Sequence, residues 1–208
     1  MNTVKWNLKD IPSIHSSYVD EFIREISNFC KNYSQMLQKE DLHKILYKNI
    51  SKDCENNTEQ SDLALFPLIK LEQISNRVGT CLWECLIRII NRCFVEGFSS
   101  SKKCTNEGRA LMQLDYQQFL SNFERILQQN FYKDSTKNVK PILSTDKDLV
   151  EEYIKAYYLT ELIFIDWIKQ RNDYTTEQVH SLISCISNDN RKLKNSLLAA
   201  IDEVIEAN

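Results

Sequence analysis

Glycine and proline are nearly missing from this chain: there are three of each in 208 residues, against usual shares of about 7% and about 5%. Sandwiches, barrels and doubly wound sheets turn tightly and often, and tight turns draw on these two residues. Their scarcity excludes such folds and leaves long helices. A hydrophobic share of 42% beside 26% charge is ordinary for a globular protein. At this length a chain buries roughly 70% of its unfolded surface, so a core needs no covalent staples.

Other absences narrow the chemistry. The seven cysteines, at 30, 54, 81, 85, 93, 104 and 185, are odd in number and form no CxxC pair. With no secretory leader expected in Met1 to Ile11, they read as reduced thiols of a cytosolic protein. Neither GxGxxG nor GxxxxGK occurs, so no glycine-rich turn is present to cradle a phosphate. The longest apolar stretches, such as LTELIFIDWI, fall well short of the ~20 residues that cross a bilayer. A net charge of −3 argues against nucleic-acid binding, which shows as a strongly basic face. The charge is uneven: Arg77, Arg88, Arg92, Lys102, Lys103 and Arg109 face only Glu84, Glu96 and Glu107, whereas acidic residues predominate beyond Thr145.

What is present is helical periodicity. Ile14, Tyr18, Phe22, Ile26, Phe29, Tyr33 and Leu37 recur at three and four residues, which predicts a first helix from about Ser13 toward Ile50. A polar segment near 51–62 reads as a mobile loop. A second helix follows from Leu63, with Leu71, Ile74, Val78, Leu82, Cys85, Leu86, Ile89, Ile90, Cys93 and Phe94 as its apolar positions, stopped by Gly97 and Ser99 to Ser101. A third carries NEGRALMQLDYQQFL, residues 106–120, with Leu111, Leu114, Phe119, Phe123, Ile126 and Leu127 on its apolar side. A second polar loop near 131–145 ends in a start signal, Ser144 or Thr145 as N-cap with Asp146 and Asp148 after it. Three more helices are expected near 147–171, 175–187 and 189–205, and Thr175 with Gln178 has capping-box spacing.

The sharp chemical readings fare poorly. Cys81 and Cys85 share a helix face and could enter a tetrahedral metal site, but no ligand partners lie nearby, so they and Cys93 read as small core residues. Catalysis by cysteine or serine needs a base, and His15, His43 and His180 lie in no recognisable motif. Glu151 and Glu152 occupy a helix start, where the dipole favours negative charge without catalytic purpose. Arg88, Arg92, Lys102, Lys103 and Arg109 could form a basic surface, or could be ordinary solvated decoration. If exposed, Tyr157, Tyr158, Trp167 and Tyr174 would be anchors for a protein partner.

The blocks WNLKDIPSIHSSYVDEF, VEGFSSSKKCTNEGRALMQLDYQQFLSNFERI, VEEYIKAYYLTE, DWIKQRNDYTTEQV and KLKNSLLAAIDEV resemble, in order, the syndetin C-terminal domain family. Syndetin is the distinguishing subunit of the endosome-associated recycling protein complex, a multisubunit tether. The resemblance implies one C-terminal domain, residues 1–208, of a much larger subunit whose N-terminal coiled-coil part is absent here. It implies an all-α fold, an elongated stacked antiparallel helical bundle of the tethering-complex leg type, with no cofactor and no enzymatic activity. It further implies peripheral placement on recycling endosomes and the trans-Golgi network, and a role in recycling to the plasma membrane and in retrograde transport. Partners would be the other subunits, an endosomal membrane, a small GTPase or a fusion protein, and no nucleic acid. Two alternatives stay open: an unrecognised metal-dependent enzyme, and a purely structural cap of the subunit.

Overall fold

The computed structural model describes residues 4–38, 81–101, 103–131, 143–171, 173–187 and 190–206. Among the described residues there is no strand, and seven helices of ten residues or more follow one another. They are α1 (Ser17–Gln38), α2 (residues 81–99), α3 (Asn106–Phe131), α4 (Lys147–Ala156), α5 (Glu161–Gln170), α6 (Thr176–Ile186) and α7 (Arg191–Glu206). The polar segment near 51–62, the start of the expected second helix and residues 132–142 of the second loop lie outside this description.

One side of the bundle is built on phenylalanine. Phe94 and Phe98 of α2 meet Phe119, Phe123 and Tyr116 of α3, with Phe94 to Phe119 centroids at 5.1 Å and Phe94 to Tyr116 at 5.2 Å. α1 packs on α3 and adds Val19, Ile26 and Cys30 to this core. Buried aromatic pairs are worth about 0.5–1.5 kcal/mol beyond their area, so this cluster is the main adhesive between the first three helices. A second cluster joins α4 and α5 to the start of α6. Tyr174 stacks on Trp167 at 5.0 Å and leans on Tyr153 at 5.5 Å, and α7 closes over α5 and α6.

Polar groups fix the registers. Asn91 of α2 is fully buried, donates to the Thr145 carbonyl at 3.0 Å and accepts from the Tyr116 hydroxyl at 3.0 Å. Thr175 and Gln178 form the capping box that their spacing predicts, at 3.0 and 3.2 Å. Gln178 also donates to Glu96 at 3.0 Å, so the cap of α6 doubles as its tie to α2.

Several expectations are corrected. α1 starts at Ser17, and its buried positions are Val19, Ile26 and Cys30, whereas Ile14 precedes the helix at 74% exposure and Phe29 is 48% exposed. α2 is turned from the expected face: Trp83, Ile87 and Val95 point inward, while Cys81, Cys85, Ile89 and Cys93 are exposed. Apolar residues cover so much of α2 that period alone selects no face; the bulky Trp83 and Phe98 take the interior. The expected helix over 147–171 is two helices. α4 ends with amides bonding three residues back, Tyr158 to Lys155 and Leu159 to Ala156, and the extended Thr160 starts α5. Asp146, not Ser144 or Thr145, is the N-cap of α4, in the left-handed region at φ 51°, which aspartate tolerates better than most residues.

Candidate docking surfaces

The stretch NEGRALMQLDYQQFL uses its polar residues to hold helices together. Thr105 is the N-cap of α3. Its hydroxyl accepts from the Gly108 amide at 3.2 Å and donates to the Leu8 carbonyl at 2.9 Å, and its own amide donates to the Trp6 carbonyl at 3.2 Å. The N-terminal segment is thereby strapped across the start of α3. Gly108 lies directly beneath it, where a Cβ would stand 1.8 Å from the Trp6 oxygen. Trp6 then seats its ring edge-on against Phe98 at 5.4 Å.

Arg109 is buried at 9% exposure. Its Nη1 donates to the Tyr157 carbonyl at 3.0 Å and to Asn106 Oδ1 at 3.3 Å, and the guanidinium lies 4.9 Å from the Tyr157 ring and 5.3 Å from the Tyr158 ring. A helix end leaves carbonyls without intrahelical partners; at the break after α4, Arg109 takes one of them. Burial pushes the Cys104 thiol beside it up to about 12, against the opposing pull of Arg109.

Asp115 is fully buried and accepts the Ser16 amide at 2.7 Å, just ahead of α1. Burial raises its carboxyl above the ordinary aspartate value, opposed by the Ser16 hydrogen bond.

The basic residues singled out in the sequence therefore separate. Arg88 and Arg92 lie exposed one turn apart on α2, with Arg88 3.8 Å from Asp146. Lys103 is exposed, Lys102 lies outside the described residues, and Arg109 is internal rather than part of that surface. The aromatic set separates too. Tyr157 is buried at 3% exposure, Tyr174 is buried and donates to the Leu149 carbonyl at 2.7 Å, and Trp167 is half-buried; Tyr158 alone of the four stands out, at 57%.

Sequence reasoning passed over the exposed aliphatics of α5, Leu162 at 78% and Ile163 at 55%. The signal was the run LIFI, since a helix packed on one side cannot bury four consecutive apolar residues. Cys81 and Cys85 do share a face, and the neighbouring Cys85 raises the Cys81 thiol. No group of three or more His, Cys, Asp or Glu residues able to hold a metal occurs among the described residues. No described helix is long and apolar enough to cross a membrane.

The chain is thus an all-α helical bundle whose central polar residues serve its own packing. It belongs to the syndetin C-terminal family, which matches residues 48–202. It is 37% identical to syndetin of Mus musculus and of Rattus norvegicus, and 36% identical to that of Gallus gallus, each over 98% of this chain. The chain spans only 17% of the length of these relatives. No solved structure matches it.

Proposed function

We propose that this chain is the C-terminal domain of a non-catalytic subunit of an endosomal multisubunit tether, acting in the return of internalised cargo to the plasma membrane. Membership of the syndetin C-terminal family carries this reading. Its physical support is the commitment of Thr105, Gly108, Arg109 and Asp115 to internal contacts. Those residues set the shape of the bundle, and the outer faces of α2 and α5 are left to meet other molecules. The other tether subunits bind through the parent protein, and the domain supplies a contact to membrane or protein, with Arg88, Arg92 and Lys103 as exposed basic residues on its α2 side. The test is deletion of the domain from the full-length subunit in cells, followed by timing the surface return of an internalised receptor. Delayed return with the remaining complex intact is the expected result. Unchanged return would reduce the domain to a structural cap and overturn the proposal.

A further inference from the structure

Two helix N-termini stand side by side at one edge of the bundle. α5 begins after the extended Thr160 and α7 begins at Arg191. The Ser196 hydroxyl of α7 donates to Glu161 of α5 at 2.7 Å. A shallow groove runs between them, walled by Leu159, Thr160, Ile186, Asn190, Lys192 and Leu193.

The side chains at this edge are not those that stability alone would choose. α7 opens with Arg191, Lys192 and Lys194 and has no acidic residue in its first turn, although the positive end of a helix dipole favours anions. Arg191 and Lys192 are exposed and Lys194 half-buried. None of the three is ion-paired to a carboxylate among the described residues. Across the groove, Leu162 and Ile163 stand out from the first turn of α5, and Tyr158 is exposed at the corner before it. Scattered exposed aliphatics are normal on a protein surface; two neighbours beside three cations are a different matter. The carboxylates that α5 contributes here are Glu161, already held by Ser196, and Asp166, so the cations outnumber them.

Protruding aliphatics next to unpaired cations match an anionic bilayer, in which alkyl groups reach below the headgroups and lysine or arginine stays among the phosphates. An acidic peptide would answer the cations but would leave Leu162 and Ile163 standing in water beside the groove rather than inside it. The geometry points to the α5 and α7 edge, Leu162 and Ile163 with Arg191, Lys192 and Lys194, as a peripheral docking surface for anionic membrane lipid. It rests on the tethering reading only for its place in the cell.

The test is flotation of the 208-residue chain with phosphatidylcholine vesicles, with and without phosphatidylserine. The chain should float with the anionic vesicles and less so as salt is raised. Leu162→Ser with Ile163→Ser, and separately Lys192→Glu with Lys194→Glu, should each lower the bound fraction about tenfold. Lys169→Glu, at the far end of α5, should float as the parent does, and circular dichroism should show all three variants equally helical. Absence of flotation, or flotation undiminished in both double variants, overturns the assignment. Failure here leaves the receptor-return result untouched, because vesicles report lipid binding without cargo or partner subunits.

Discussion

Asp115, inside α3, holds the amide of Ser16 at 2.7 Å across 99 positions of sequence. It therefore caps α1 from another helix, doing what an N-cap side chain does locally. Because the carboxyl is fully enclosed, its neutral form is favoured in the folded state and its pKa is raised. A raised folded value contributes stability that is complete below the unfolded value and is lost as pH rises through the folded one. Asp115→Asn keeps the acceptor without the charge, so the stability of the native protein relative to this variant should fall as pH climbs out of the ordinary aspartate range. Parallel urea titrations across acid and neutral pH check this; a difference that grows in the opposite sense refutes it. Asp115→Ala removes the acceptor and should cost about 1–3 kcal/mol.

Gly108→Ala sets two effects against each other. Alanine gains about 1 kcal/mol of helix propensity over glycine. Its Cβ would meet the Trp6 carbonyl at 1.8 Å, and the obstacle is backbone, which cannot swing aside as a flexible side chain can. Displacing the strap loosens the bonds from Thr105 to Trp6 and Leu8 and the seat of Trp6 on Phe98. Overpacking of this kind costs about 1–3 kcal/mol, so the clash should win. A lower melting temperature, together with more exposed tryptophan fluorescence, is the expected outcome.

Thiol reactivity should follow the exposure observed rather than the core role expected. Cys85 and Cys93 are exposed on α2, whereas Cys30 and Cys185 are buried and burial pushes Cys30 up to about 11. The thiolate is the reactive form. Brief iodoacetamide treatment at mildly alkaline pH, read by peptide mass mapping, should modify Cys85 and Cys93 well before Cys30 and Cys185. Equal rates would show that the α2 face is covered.

Helix content and most of the α3 core were legible because Leu111, Phe119, Phe123, Ile126 and Leu127 form one unambiguous stripe, and all five are buried. The cap of α6 was legible for the same reason, since Thr175 and Gln178 interact within one turn. What the sequence hid is non-local. The break after Ala156 has no glycine or proline to announce it; it is held by Arg109, 48 residues away. Arg109 looked like surface because a lone basic residue gives no sign of which carbonyl it will find. The α2 face was misjudged because its apolar residues surround the helix, and only packing against Phe119 and Phe123 chooses among them.

Arg109 gives the most direct test of how the corner between α4 and α5 is held. Its guanidinium joins Asn106, the Tyr157 carbonyl and two tyrosine faces, so no single small replacement restores the set. A hydrogen bond from a charged donor is worth about 1.5–3 kcal/mol, and a cation over an aromatic ring adds about 0.5–2 kcal/mol. Arg109→Ala should therefore destabilise by about 2–4 kcal/mol. Arg109→Lys should recover part of this, because an ammonium can reach a carbonyl but cannot lie flat against a ring while bonding a second acceptor. The loss should be local before it is global: amide exchange at Tyr158, Leu159 and Thr160 should accelerate in Arg109→Lys under conditions where the α3 core stays protected. Uniform acceleration across the bundle would instead mean that Arg109 stabilises the whole fold and not this corner in particular.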